Sequence, residues 1–216
     1  DHCNTHSSFK DKVYMSNLCQ EITLPTTPVE HIDDEKGEIA LCILSAINVG
    51  ILRDLDDLEE LCELAVRALE EIIDHQQYPV KAAEVSTKAR RSLGIGYIGL
   101  AHYLAKNKVS YESKEAWKEV DILTEAFQYY LLKASNDIAK EKGACEYFNR
   151  TKYSDGILPI DTYKKEVDEI VNRKLSMKWD KLRKDIKEFG LRHSTLSAQM
   201  PSESSSVVSN ATNGIE

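Results

Sequence analysis

Apolar residues recur at helical spacing most plainly between Asp54 and Gln76. There Leu55, Leu58, Leu61, Cys62, Ala65, Val66, Leu69, Ile72 and Ile73 form one face and acidic residues the other. Asp54 or Asp56 can cap the start. A second amphipathic helix is predicted over 112–142, closed by Gly143. Further helices are predicted over 161–171, over 176–189 (ended by Gly190) and near 100–106. Residues 92–99 are apolar, short and glycine-rich and read as a strand, as do residues 191–200. Residues 38–50 fit a buried strand or a buried helix equally well, because periodicity alone does not separate the two. Residues 16–24 read as a loop or short strand bounded by Pro25 and Pro28. Pro201 opens a loop, after which Ser202 to Ser206 can cap a helix through Val207 and Val208. Short apolar strands alternating with long helices predict an α/β protein with parallel strands.

Composition narrows the class. The 216 residues are 42% hydrophobic and 30% charged, the balance of a soluble globular protein of one large domain or two small ones. No run approaches the ~20 apolar residues of a membrane span, and no secretory leader is visible. A net charge of −8 argues against broad electrostatic binding to nucleic acid. The cysteines Cys3, Cys19, Cys42, Cys62 and Cys145 are odd in number and contain no Cys-x-x-Cys, which predicts a reducing, cytoplasmic setting. The glycosylation sequons at Asn149 and Asn210 are then chance matches. Opening at Asp1 and closing at Glu216 without a polar tail, the chain reads as an excerpt of a longer protein.

Several motifs compete for chemistry. Gly94-Ile95-Gly96-Tyr97-Ile98-Gly99 satisfies G-x-G-x-x-G, but it follows Lys88-Ala89-Arg90-Arg91 rather than a buried strand, and no acid closes a second strand some 20 residues on. A glycine-lined strand packed close to neighbouring backbone accounts for it better. His2-Cys3-x-x-His6 lacks the second ligand pair that a zinc site needs. Trp117, Tyr129 and Tyr130 read as core or interface residues. Two segments carry more. In an extended Asn17-Leu18-Cys19-Gln20-Glu21, alternation would turn an amide, a thiol and a carboxylate to one side. Such a set can orient a hydroxyl, act as nucleophile or redox centre, and take a proton. Read blandly, it is a capped turn with a buried cysteine. Pro201-Ser202-Glu203-Ser204-Ser205-Ser206 offers amides and small hydroxyls that suit a phosphate, or else forms a solvated linker.

Taken in order, these pieces resemble one family. Ser16-Asn17-Leu18-Cys19-x-Glu21-Ile22 is similar to the active-site loop of the class I ribonucleotide reductase large subunit. The same family is echoed by Gly37-Glu38-Ile39-Ala40-Leu41-Cys42, Arg90-Arg91-x-Leu93-Gly94-Ile95-Gly96, Gln128 to Ser135, Gly156 to Tyr163, Met200 to Glu203, and Asn210 to Glu216. The glycyl-radical and cobalamin-dependent reductases share the barrel, but the Ser-Asn-Leu-Cys-x-Glu-Ile form favours class I.

The resemblance implies a ten-stranded α/β barrel, of which this chain would supply the central finger loop and most of the second half. The effector-binding cone, the first half-barrel and the C-terminal tail would lie outside it. Cys19 matches the thiyl-radical cysteine, Glu21 the base for the ribose 3′-hydroxyl, and Asn17 the residue that orients the hydroxyls. Cys42 matches one member of the redox pair, its partner lying upstream of Asp1. Glu203, Ser204 and Ser205 match the substrate diphosphate loop, and Ser202, adjacent to it, is counted with the substrate-binding residues. The resemblance further implies a ribonucleoside diphosphate substrate, a metal-containing small subunit as radical source, and thioredoxin or glutaredoxin as reductant. Nucleotide effectors (ATP or dNTP) would bind the portions outside this chain, and no cofactor or metal would bind the chain directly. Alone, the chain is expected to be inactive. The rival reading is a helical interaction module that uses the 54–76 and 112–142 helices and in which Cys19 is a buried thiol.

Overall fold

The computed structural model describes residues 7–215. Its centre is a parallel pair, β1 (Ile43–Asn48) and β2 (Leu93–Ile98), with Ile43 opposite Leu93 and Asn48 opposite Ile98. The undecided run at 38–50 therefore contains a strand over its later part, followed by a 3-10 turn at Val49–Ile51, and the strand expected at 92–99 is present. Between the two strands run α1 (Asp57–His75) and α2 (Lys81–Arg90); α3 (Leu100–Lys106) and α4 (Lys114–Lys142) follow β2. The later helices are α5 (Pro159–Thr162), α6 (Glu166–Val171), α7 (Trp179–Phe189) and α8 (Ser204–Val208).

Each β-face has its own neighbours. Leu93, Ile95 and Tyr97 point into the main core together with Ile47 of β1, against Leu58, Val66 and Leu69 of α1 and Leu123, Phe127 and Leu131 of α4. Tyr97 meets Phe127 edge-on at 5.4 Å. The opposite face carries Gly94 and Gly96, and on it lies a smaller cluster of Phe9, Val13, Ile22, Leu24 and Ala198, joined by Ala40 and Cys42. Because α1 and α4 spend their apolar stripes on this shared core, they are not free faces awaiting a partner, which weighs against the interaction-module reading.

Two expectations are corrected. The strand expected at 191–200 is an extended segment beside β2 with one isolated parallel bridge, Ile95 to Ser197. Its ladder is irregular because the carboxamide of Gln199 accepts from the Tyr97 amide (3.4 Å) and donates to the Tyr97 carbonyl (2.8 Å), where a strand would use its backbone. The helix expected over 161–171 is broken into α5 and α6. The Asp161 carboxylate accepts the Leu158 amide at 2.8 Å and holds Arg183, which fixes the short first piece separately. Of the aromatics read as core or interface, Trp117 is 44% exposed and lies outside the core, whereas Tyr129 packs edge-on to Trp179 at 5.2 Å. Helix α2 had no apolar stripe to announce it, since the residues it buries are Ala82, Ala83, Ser86, Thr87, Ala89 and Arg90.

Buried charge ties the frame together. Arg90 is fully buried. It grips Glu38 through Nε (2.6 Å) and Nη2 (3.0 Å), reaches Asp11 at 3.0 Å, and lies over the Tyr147 ring. Arg91, at φ 48°, closes α2 and bonds Glu70 and Asp74 of α1. Glu70 also accepts from Arg192 (2.7 Å) and from His193 Nε2 (3.0 Å), while His193 Nδ1 meets Ser135 Oγ of α4 at 2.9 Å. Among the described residues no helix is long and apolar enough to cross a membrane.

Candidate functional site

The segment Ser16–Ile22 closes on itself as a turn. The Asn17 amide donates to the Ile22 carbonyl (3.0 Å), the Gln20 amide to the Asn17 carbonyl (3.2 Å), and Gln20 takes φ 64°. The alternation expected of an extended loop therefore does not operate here; the turn itself brings Asn17 and Glu21 together. Asn17 Nδ2 donates to Glu21 Oε1 at 2.6 Å, while Asn17 Oδ1 accepts the Ile22 amide at 3.1 Å. Glu21 Oε2 is left buried with no hydrogen-bond partner. Such an oxygen is costly unless something donates to it. Cys19 is exposed near the tip of the turn, so the bland reading of a buried cysteine does not hold.

Cys42, just before β1, lies under this turn. A Cβ placed on Gly94 would sit 3.0 Å from Cys42 Sγ and 3.0 Å from Ile22 Cδ1, so the bare glycine is what lets thiol and turn settle on the strand. Burial, with help from the nearby Glu21 carboxylate, pushes the Cys42 thiol up to about 12. Asn17, Cys42, Ile22 and Leu44 border one cavity of about 230 Å³. Glu21 and Ile22 also border a second, hydroxyl-rich cavity of about 290 Å³ that reaches Gln128 and Ser197.

The serine turn is fastened to the far ends of the strands. Asn48, at the end of β1, donates to the Ser209 carbonyl (3.4 Å), and the Gly99 amide after β2 donates to the Thr212 carbonyl (2.8 Å). Asn213 Oδ1 accepts the amides of both Ser202 (2.7 Å) and Glu203 (3.0 Å). Glu203 takes φ 38° and ψ −109°. Ser205 donates amide and hydroxyl to the Ser202 carbonyl, at 3.0 and 2.7 Å. The amide and hydroxyl of Ser204 have no hydrogen-bond partner among the described residues, and Ser202 Oγ is buried without one. No hydrogen bond among the described residues links this turn to Asn17–Ile22; both are mounted on the glycine-bearing strand, one near each end.

A model of the family described as "Ribonucleotide reductase, barrel domain" matches residues 1–216. The chain belongs to this family. It is 61% identical to the ribonucleoside-diphosphate reductase subunit alpha of Haemophilus influenzae and 59% identical to that of Buchnera aphidicola from Schizaphis graminum. It is 58% identical to the ribonucleoside-diphosphate reductase 1 subunit alpha of Escherichia coli K12. Each match covers 100% of this chain and 29% of the relative, so the chain spans under a third of these proteins' length.

Within this reductase-family barrel segment, the G-x-G-x-x-G run is a strand as read from its context. Gly94 and Gly96 lie inside β2, and Gly99, at φ 79°, precedes α3. The His2-Cys3-His6 cluster lies outside the described residues. Sequence reasoning missed Asn213 and Asn48 as tethers of the serine turn. Asn213 stood within a recognised stretch, but no spacing rule links it to residues 202 and 203. The close packing against the glycine-lined strand was foreseen, but not that Cys42 settles on Gly94 while Ala198 and Met200 cross Gly96.

Proposed function

We propose that this chain is the part of a ribonucleoside-diphosphate reductase catalytic subunit that carries the radical cysteine and the diphosphate turn, the finger loop and second half of a ten-stranded barrel. Cys19, as a thiyl radical, takes the ribose 3′ hydrogen. Glu21 takes the 3′-hydroxyl proton as the 2′-hydroxyl leaves as water, and Asn17 holds the hydroxyls in place. Cys42 and an upstream thiol of the longer protein supply two protons and two electrons and end as a disulfide: one proton leaves with the 2′-hydroxyl as water, the other reaches C2′ with the electrons, and Cys19 then returns its hydrogen to C3′ and is a thiyl radical again. Ser202 to Ser205 hold the diphosphate, with Ser204 contributing the donors that are still free.

The observation that supports this reading best is the Asn17–Glu21 pair. One carboxylate oxygen is fixed at 2.6 Å and the other is buried and unpartnered, beside the Cys42 thiol. A packing carboxylate would have both oxygens satisfied. The radical arises in a metal-containing small subunit, the reductant is thioredoxin or glutaredoxin, and nucleotide effectors act through parts of the subunit outside this segment.

The test is Cys19→Ser in the full-length subunit assembled with its small subunit. Deoxynucleotide formation should fall below detection while nucleoside diphosphate binding is retained within about twofold. Turnover surviving the change would refute the assignment.

A further inference from the structure

We propose that Asn213 is a positioning residue for the diphosphate turn: by clasping the Ser202 and Glu203 amides through one side-chain oxygen, it keeps the Ser204 amide and hydroxyl free for an anion. The inference rests on the reading of residues 202–205 as the diphosphate site.

A tight turn before a short helix exposes several amides at once, and they compete for any acceptor. Here Asn213 Oδ1 takes two consecutive ones, at 2.7 and 3.0 Å. Ser205 and Ser206 are committed within the turn, donating from amide and hydroxyl to the Ser202 and Glu203 carbonyls respectively. Ser204 alone in this run keeps both of its donors. The clasp also accounts for Glu203. A non-glycine residue at φ 38°, ψ −109° persists only where its surroundings over-determine it. The two bonds to Asn213 act on the amides at and before that residue.

The clasp is itself anchored. Thr212, next to Asn213, accepts the Gly99 amide at 2.8 Å, and Asn48 reaches Ser209 across the same end of the sheet. Asn48 Oδ1 also accepts the Gly50 amide at 3.1 Å. A Cβ on Gly99 would sit 2.5 Å from Asn48 Oδ1, so glycine there keeps room for this tether. Asn213 thus transmits the position of the strand ends to Ser204. It touches the turn, not the anion.

The experiment uses the full-length subunit with its small subunit. Ser204→Ala is measured first, by KM for a nucleoside diphosphate and by competition from inorganic pyrophosphate. A loss of affinity shows that the turn holds the diphosphate; no change removes that reading and this proposal with it. Asn213→Leu, similar in size but without an acceptor, is then expected to raise KM about tenfold or more, with pyrophosphate competition weakened in parallel and kcat within about threefold. A KM unchanged from the parent overturns the clasp even if Ser204→Ala has weakened binding. A fall in kcat with KM unaltered also overturns it, since general loosening would do the same. If Asn213→Leu does not fold, Asn213→Ser, smaller and too short to reach both amides, is read by the same criteria.

Discussion

The glycines of β2 offer the sharpest test of how the site is built, because two changes of the same size should have unequal costs. In Gly94→Ala, the new methyl would lie 2.6 Å from Leu44 Cδ2 and 3.0 Å from both Cys42 Sγ and Ile22 Cδ1. Leu44 is 45% exposed and can swing outward, so much of that strain is relieved by one flexible side chain. In Gly96→Ala the nearest atom is the Ala198 carbonyl oxygen, with Met200 Sδ at 3.0 Å. That backbone cannot retreat cheaply, because the Ala198 amide is bonded to the Ile95 carbonyl at 3.1 Å. Overpacking typically costs about 1–3 kcal/mol. Against it stands a gain of roughly 0.4–1 kcal/mol from restricting the unfolded chain. The net expectation is about 1 kcal/mol or less lost at Gly94 and about 2 kcal/mol at Gly96. Urea denaturation monitored by circular dichroism measures both, provided the slopes with denaturant match the parent. Cys42 alkylation should accelerate in Gly94→Ala, whose methyl displaces the thiol, and much less in Gly96→Ala. If Gly96→Ala is as stable as the parent, or if Gly94→Ala is the costlier change, close approach of 198–200 to β2 is not what the glycines serve.

Thiol labelling should follow exposure and burial. Iodoacetamide at pH 8 is expected to modify exposed Cys19 first, and Cys42 far more slowly, since a thiol pushed up to about 12 is only about one part in 10⁴ thiolate there. Cys42 labelled as fast as Cys19 would contradict the packing over Gly94. Acid should unfold the chain partly through the Glu70–His193 pair. Burial, reinforced by Arg91 and Arg192, lowers the His193 pKa against the pull of Glu70, while hydrogen bonds from His193, Arg91 and Arg192 outweigh burial and hold Glu70 well below the carboxylate range. Both groups bind protons more readily when unfolded, so stability is full above about pH 6.5, declines as His193 protonates in the unfolded chain, and declines again below about pH 4.3 as Glu70 follows. His193→Gln should remove slope that grows toward about 1.4 kcal/mol per pH unit as pH falls through the unit below 6.5; an unchanged slope would refute the assignment. Arg90→Leu should cost about 3–5 kcal/mol by stranding buried Glu38, moderated by Arg150 at 3.3 Å, and adding Glu38→Leu should recover most of the loss in a denaturant double-mutant cycle.

What the sequence disclosed follows from how each element is stabilised. Helices α1 and α4 were legible because their stability comes from an apolar stripe, which leaves a period. Helix α2 was not, because it buries alanines, hydroxyls and an arginine whose partners Glu38 and Asp11 lie 52 and 79 residues away. The break between α5 and α6 depends on Arg183 reaching Asp161 across 22 positions, and local pattern cannot report that. At the site, Asn17, Cys19 and Glu21 were visible as a chemically apt triplet. Only Asn17 and Glu21 come together, and by a turn rather than by alternation, since a positive φ at Gln20 folds the loop back on itself and leaves Cys19 exposed near its tip. The serine turn was visible as composition, while its clasp by Asn213 arises only when 202 and 213 meet in space.

These observations converge on one strand with two unlike faces. The odd positions Leu93, Ile95 and Tyr97 are large and anchor β2 to the helices, which makes the strand a stiff reference. The even positions Gly94 and Gly96 are bare, so whatever crosses that face lies against backbone with little slack. Cys42 and the Asn17–Ile22 turn meet the strand at Gly94, Met200 meets it at Gly96, and the serine turn hangs from Gly99. The rise of a strand is nearly fixed at about 3.3 Å per residue, so the five-residue interval from 94 to 99 holds the two anchor points, one beneath Cys42 and one behind the serine turn, roughly 16 Å apart along the strand. A flexible loop could carry either group, but it could not hold that interval. The glycine run that imitates a nucleotide-binding fingerprint thus acts as a ruler, and lengthening β2 by two residues, which keeps the alternation of its faces, should move the two anchor points apart by about 7 Å even if every side chain at them is kept.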